Sequence, residues 1–486
     1  MNKPLRRVAI FCGLLVMALL VRVNWVQFVQ ADELRTDDKN RRVSIERYSQ
    51  PRGNIIVDGK AITGSTKTSG SDFEYKRTYT NGPMWSPVTG YASQAFGANQ
   101  LEKLNDGILT GTDDRLFFNR TIDMLTGKDQ QGGDVVTTLD AKAQKAAFQG
   151  LGDKKGAVVA IDPSTGAIKA LASTPSYDPS SFAGNSEKDS RDWTKLNKDE
   201  DKPMLNRALK EVYAPGSTFK VVTSAAALES GKVEDINEPT DSPDPYKLPD
   251  TTGEKPLRNE GNIPCKNATL KVALQYSCNT VYAKLSDEIG NKEMREYAGK
   301  FGFDDSQIDT PVRAARSSYP EDNRPQNAQA GIGQASVVAT PLQMAMVASA
   351  VANDGKLMKP YMVDELRAPN LNVVEQADPE EYSEPMSEDH AGDLQEMMEN
   401  VVAKGTGTNA QVPGLTVGGK TGTAQHGENN ELNPYAWFIS YGKDSDGKKI
   451  AVAVLVEDGN ANRDDISGGG LAAPIAKNVM KAALDK

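Results

Sequence analysis

At 486 residues the chain exceeds the usual size of one domain, so two folded units plus a segment with a separate task are expected. Hydrophobic residues at 38% and charged residues at 25% form an ordinary globular balance that can build a sizeable core. A formal net charge of −10 with no long basic block argues against nucleic acid as a partner, since phosphate binding wants a basic face.

Lys3, Arg6 and Arg7 precede an apolar run from Val8 to Val21, which Val23, Trp25, Val26, Phe28 and Val29 continue. Counted through Val29 the run reaches roughly 33 Å as a helix, enough to cross a bilayer. Basic residues before it, with Asp32 and Glu33 after it, place the N-terminus in the cytoplasm. Val29-Gln30-Ala31 lacks the small residue that signal cleavage wants at its first position. Residues 1–30 are therefore expected to be a tail and an uncleaved single-pass anchor in the cytoplasmic membrane, with the remainder outside.

From Pro51 the segment Pro51-Arg52-Gly53-Asn54-Ile55-Ile56-Val57-Asp58-Gly59 reads as a strand entering a tight turn. Helical stretches follow near Asn99–Leu109 and Asp114–Leu125, with no catalytic grouping. Residues 31–150 read as a supporting or interaction domain. A strand at Asp134–Leu139 leads to Asp140, a candidate N-cap for a helix over Ala141–Leu151. Ala157–Ile161 and Ala167–Ala172 are apolar runs joined by Asp162-Pro163-Ser164-Thr165-Gly166, a hairpin signal. Far downstream come strands at Leu415–Ala424, Tyr435–Tyr441 and Ile450–Glu457, then a closing helix at Leu471–Leu484. The expected fold is α+β: a five-stranded antiparallel sheet flanked by helices, interrupted by an all-helical insertion. Polar stretches at 180–203, 230–266 and 362–392 read as surface loops or excursions.

Ser217-Thr218-Phe219-Lys220 opens a helix running to Leu228, so Ser217 and Lys220 share one face. A serine hydroxyl needs an adjacent base to become a nucleophile. The only histidines are His390 and His426, and a lysine can serve if burial and a helix N-terminus depress its pKa. Ser440 and Lys443 repeat the spacing at the end of a strand, where the two point to opposite faces. Ser277-Cys278-Asn279 can aim two polar side chains one way from a loop or helix end. Lys420-Thr421-Gly422-Thr423 lies on a strand whose edge could pair with an extended peptide. There Gly422 would let a substrate backbone approach, while Lys420 and the threonine hydroxyls suit a carboxylate. Each pattern alone is compatible with a capping serine, a turn asparagine or an exposed lysine. Cys12, Cys265 and Cys278 include no CxxC pair and, with two histidines, make no zinc site, so no metal or cofactor is expected. Cys265 and Cys278 lie in a compartment that permits disulfides, and both a bridge and two free thiols stay open.

The order of the three patterns, with Ser277 60 positions after Ser217 and Lys420 143 after Ser277, resembles that of the serine penicillin-recognising enzymes. Cys278 stands where the S-D-N version has aspartate, which weighs against a class A β-lactamase, and no E-x-x-L-N segment lies between Asn279 and Lys420. Pro51-Arg52-Gly53-Asn54-Ile55, Ala160-Ile161-Asp162-Pro163-Ser164-Thr165-Gly166, Asn206-Arg207-Ala208, Gly331-Ile332-Gly333-Gln334, Thr340-Pro341-Leu342-Gln343 and Gly405-Thr406-Gly407-Thr408 are similar to segments of class B penicillin-binding proteins. The front region, with Trp85-Ser86-Pro87-Val88-Thr89-Gly90-Tyr91, looks most like the actinobacterial PbpA-type members.

That resemblance implies a transpeptidase domain over 151–486 with a penicillin-binding, serine β-lactamase-like fold, following a dimerisation-like domain over 31–150. It implies a peptidoglycan D,D-transpeptidase of wall synthesis in growth or division. Ser217 would be the nucleophile, Lys220 its base and Ser277 a proton relay. Asn279 would hold the donor peptide, and Lys420, Thr421, Gly422 and Thr423 would bind its carboxylate end. Implied partners are stem peptides, a lipid-linked precursor, β-lactams as covalent inhibitors and a SEDS-family glycosyltransferase. The rival readings are a serine β-lactamase, a penicillin sensor and a noncatalytic wall-binding protein.

Overall fold

A computed structural model describes residues 3–36, 41–69, 72–127, 131–252, 255–261, 263–427, 431–458, 463 and 466–485. The helix Lys3–Phe28 buries none of its side chains. Among the described residues it is the one helix long and apolar enough to cross a membrane.

Runs of valine, isoleucine and alanine build the central sheet. Its five antiparallel strands lie in the spatial order Thr416–Ala424, Tyr435–Lys443, Lys449–Asp458, Lys155–Ile161, Ile168–Thr174. Side chains alternate along a strand, so each strand feeds two cores. Val158, Ala160, Ala172, Val452, Val454 and Phe438 face the helices Ala141–Leu151 and Ala473–Ala483. Val159, Ile161, Leu171, Ala453, Leu455, Trp437 and Ile439 face the insertion between the second and third strands in sequence, chiefly its wholly buried helix Pro341–Ala352. A sheet covered on both faces takes apolar residues on both sides of its inner strands, which is why those read as largely continuous apolar runs, while the edge strand Thr416–Ala424 does not. Asp140 caps its helix by accepting from the Ala143 N–H at 2.7 Å.

The insertion is not all helical. Within the stretch expected to be loop at 362–392, the strands Val363–Arg367 and Val373–Gln376 join a second sheet, in the order Val373–Gln376, Val363–Arg367, Asp134–Thr137, Ile55–Val57, Lys60–Ala61. The strand Asp134–Thr137 pairs in parallel with Ile55–Val57 and antiparallel with Val363–Arg367, so one sheet joins the front of the chain to its later half. The Val373–Gln376 edge is largely exposed, and its polar composition hid it. The polar stretch 180–203 likewise holds a helix, Glu187–Lys198, with no buried side chain. Its apolar contacts are confined to Trp193 and Leu196, partly buried against Tyr91, Tyr177 and Phe182 and too few for a periodic stripe, although its capping box, Ser186 with Asp189, stands in the sequence. Its Trp193 stacks on Phe96 of the front region with ring centroids 4.5 Å apart.

The front region is organised around buried charge. Glu102, fully buried, accepts from Arg52 Nε at 2.7 Å and from Arg77 Nε at 2.6 Å. Burial would push the Glu102 carboxyl up, but the charges and hydrogen bonds of Arg77 and Arg52 outweigh it and hold it below the ordinary range. Arg77 also donates to the carbonyl of Gly53 at 2.6 Å. This network gives Arg52 a structural role in holding the segment that follows the anchor.

Candidate active site

Pro215-Gly216 breaks the chain just before Ser217. The Gly216 N–H donates to the Gly333 carbonyl at 2.9 Å, and a Cβ on Gly333 would stand 2.0 Å from the Gly216 carbonyl oxygen. Gly333, at φ +73°, therefore admits the turn that carries Ser217. A single tight turn, Gly216–Phe219, runs into the helix Lys220–Glu229, whose side chains from Lys220 to Leu228 are all buried. Ser217 is half-buried, while Lys220 is fully buried.

The helix Leu270–Tyr276 ends at Ser277, which takes a left-handed backbone at φ 63°, ψ 42°. The Cys278 N–H donates to the Ala273 carbonyl at 2.8 Å, and Cys278 is bonded to Cys265. The next helix starts at Asn279. A non-glycine residue in this conformation is uncommon, and here the helix end and the covalent bond hold it.

These two pieces meet at Lys220. Its amino group donates to the Ser277 carbonyl at 2.7 Å, to Ser277 Oγ at 3.1 Å and to Asn279 Oδ1 at 2.6 Å. Ser217 Oγ is not among its partners. Among the described residues no carboxylate hydrogen-bonds to Lys220. Burial pushes its pKa well below the ordinary lysine value, the charge of Lys420 lowers it further, and the charge of Glu260 pulls partly back. A lysine so placed is available as a neutral base.

Lys420 arrives from the sheet. The strand Thr416–Ala424 is the edge of the five, and its pairing sets Lys420 opposite Ile439 and Gly422 opposite Trp437. Lys420 thus points toward the insertion, where it donates to Ser277 Oγ at 3.0 Å and to the Thr421 carbonyl at 2.8 Å. Burial brings its pKa down to about 7. Ser277 Oγ therefore lies between two buried lysines that belong to different patterns of the sequence.

Thr421 and Thr423 take the alternate face. Thr421 is buried, its hydroxyl 2.6 Å from that of Thr406, whereas Thr423 is exposed. Gly422 has a packing reason beyond the expected substrate approach. A Cβ there would sit 3.0 Å from Thr218 Cγ2 and 3.1 Å from the Pro215 carbonyl oxygen, so the glycine lets the Ser217 turn lie on the strand.

The second Ser-Lys pair stays apart: Ser440 is buried and donates weakly to the Val452 carbonyl at 3.4 Å, while Lys443 is exposed. His390 pairs with Glu229, and His426 contacts the Asn433 carbonyl at 2.6 Å, so neither histidine bonds to Ser217 or the lysines. Among the described residues no histidine, cysteine and carboxylate cluster could hold a metal. Sequence reasoning assigned no role to Thr406, although its Gly-Thr-Gly-Thr setting was noted. It missed Asn259, which accepts from the Thr280 N–H at 3.1 Å and donates to Thr280 Oγ1 at 2.9 Å. Nothing in an isolated asparagine signals such a long-range contact.

Residues 156–481 match the penicillin-binding protein transpeptidase domain, and 52–135 match the penicillin-binding protein A dimerisation domain. The chain is 39% identical to the peptidoglycan D,D-transpeptidase PbpA of Mycolicibacterium smegmatis, over 100% of this chain and 99% of that protein. Penicillin-binding protein A of M. tuberculosis, solved as acyl-enzyme complexes, superposes over 90% of this chain and 100% of that one. The ceftriaxone complex gives a TM-score of 0.85 at 37% identity and the penicillin G complex 0.84 at 38%. By its matched domains and full-length likeness, the chain belongs to the penicillin-binding transpeptidases of the PbpA-like branch.

Proposed function

We propose that the chain cross-links peptidoglycan by acyl transfer through Ser217 and is inhibited by covalent reaction with β-lactams. The observation that carries this reading is Ser277 Oγ bridging Lys220 and Lys420 next to the Ser217 turn. Neutral Lys220 takes the Ser217 proton as the hydroxyl oxygen attacks the carbonyl of the penultimate D-alanine of a stem peptide. The backbone N–H groups of Ser217 and Thr423 receive the oxyanion. Ser277 passes the proton to the departing D-alanine, and Asn279 holds the donor peptide. Lys420 in its charged form, with Thr421 and Thr423, binds the terminal carboxylate. The amine of a second stem peptide then takes the acyl group and frees Ser217.

In the same reading residues 1–30 anchor the chain with its N-terminus in the cytoplasm, 31–150 form the supporting domain and 151–486 the catalytic domain outside. Stem peptides of a lipid-linked precursor are the substrates, and a SEDS-family glycosyltransferase is the partner. Mass spectrometry after incubation with penicillin tests the chemistry. The adduct is expected on the peptide containing Ser217 and is lost in Ser217→Ala; an adduct on Ser440 overturns the assignment.

A further inference from the structure

The Ser217 turn and the strand Thr416–Ala424 come from distant parts of the chain, and glycines let them touch. A Cβ on Gly422 would stand 3.0 Å from Thr218 Cγ2, and one on Gly216 would stand 3.2 Å from the Thr423 carbonyl oxygen. Such contacts bring turn and strand together without fixing a direction. Among the described residues, one hydrogen bond ties residues 214–219 to the five-stranded sheet, from Trp437 Nε1 to the Ala214 carbonyl at 3.0 Å. Trp437 is fully buried and pairs across the sheet with Gly422. A Cβ on Gly422 would also lie 3.1 Å from Trp437 Cβ, so the glycine makes room for the tryptophan as well as for the turn. The Tyr213 ring meets the indole edge-on, with centroids 6.3 Å apart, and its hydroxyl bonds to Glu211 at 3.0 Å and Glu457 at 3.1 Å.

The oxyanion site takes one N–H from each piece, Ser217 from the turn and Thr423 from the strand. Its width is therefore the spacing between the two, and a misplacement of about 1 Å at a reacting centre can cost about 10²-fold in rate. From the Trp437–Ala214 bond beside the Gly422 contact, we propose that Trp437 is a positioning residue that sets the width of the oxyanion site by holding the Ser217 turn to the Thr423 strand. The inference rests on the transpeptidase reading. The indole acts through the Ala214 carbonyl, just before Ser217, and takes no part in proton transfer. Losing its N–H leaves that carbonyl without its donor and frees the turn to move off the strand. In the penicillin ester of Ser217 the acyl carbonyl oxygen occupies the same site. Hydrogen bonds to that oxygen weaken the C=O bond and lower its stretching frequency, so the ester reports on the width directly.

The test uses the full-length chain in detergent, with folded sites counted by penicillin uptake. The ester carbonyl band is read by isotope-edited infrared difference spectroscopy, and acylation rates are followed over a range of penicillin concentrations. Two variants remove the N–H: Trp437→Phe, and Trp437 replaced by benzothienylalanine, which keeps the shape of the indole with sulfur in place of the N–H. In both, the band is expected to move to higher wavenumber and the limiting acylation rate to fall about 10- to 100-fold. The penicillin concentration at half the limiting rate stays within about threefold, because the loss is felt at the reacting carbonyl and not in binding. Tyr213→Phe keeps its ring against the indole and leaves band and rate as in the wild type. An unmoved band or an unchanged limiting rate with benzothienylalanine overturns the role of Trp437, whatever Trp437→Phe does, and so does an equal shift in Tyr213→Phe. A wild-type protein that takes up no penicillin on Ser217 instead overturns the transpeptidase reading beneath it.

Discussion

Ser277→Ala removes the one hydroxyl that both site lysines share. Lys220 keeps two acceptors, the Ser277 carbonyl and Asn279 Oδ1, but Lys420 keeps only the Thr421 carbonyl. A hydrogen bond to a charged group contributes about 1.5–3 kcal/mol, which converts to roughly 10- to 150-fold in an equilibrium. Most of that loss falls on protonated Lys420, whose pKa of about 7 should drop further once an acceptor of its charged form is gone. A carboxylate is bound only by the ammonium form. The limb of the penicillin acylation profile that descends with rising pH should therefore move to lower pH in the variant. At neutral pH the lost proton relay adds a fall in the acylation rate of about 10² or more. The assay is the second-order rate of acylation by a fluorescent penicillin from pH 5.5 to 9. Ser277→Gly, which suits the left-handed backbone, separates strain at φ 63° from loss of the hydroxyl and should behave like Ser277→Ala. Rates within threefold of wild type with an unmoved limb would refute the bridging role.

Glu102→Gln leaves Arg52 and Arg77 facing each other in a buried site and should lower stability by about 3–5 kcal/mol, read as a drop in denaturant midpoint. Because the Glu102 pKa is depressed, its contribution is present above the unfolded carboxyl value and is lost as pH falls through the folded one, so the deficit should shrink in acid. With Cys265 and Cys278 bonded, the unreduced, denatured chain should show one reactive thiol, Cys12, and three after reduction; three before reduction would disprove the bond. Reduction should cost about 3 kcal/mol in the chain-entropy account. Finally, the penicillin ester on Ser217 should persist for many minutes after excess drug is removed. Glu288, Glu293 and Glu296 lie on or beside solvent-facing helix surface, with Lys284–Glu288 and Lys292–Glu296 ion pairs, and do not supply an activated water. Rapid release of hydrolysed penicillin over repeated turnovers would show the opposite.

Much of the molecule was legible without coordinates because its signals are local. A charged lead followed by a long, mostly apolar run marks a helix long enough to cross a membrane. Continuous apolar strands bounded by turn residues mark a sheet covered on both faces, and Asp140 marks a helix start. The spacing of Ser217 and Lys220 is meaningful within one helical turn. What stayed hidden depends on residues far apart in the chain. The strand Val363–Arg367 is recognisable only beside Asp134–Thr137, since it is mostly polar and half-buried and is defined by its backbone pairing. The helix Glu187–Lys198 has no periodic apolar stripe because Trp193 and Leu196 alone pack against the apolar cluster of Tyr91, Tyr177 and Phe182. Residue type and order determined the candidate site: three short patterns, a lysine in place of a histidine base, and a sheet edge. Only the tertiary structure decided that Lys220 and Lys420 would meet on one serine hydroxyl, that Thr406 would take up Thr421, and that Asn259 would pair with Thr280. Those contacts are hydrogen bonds across 15 to 143 positions, and no local propensity encodes which distant partner a polar side chain will find once the cores have packed.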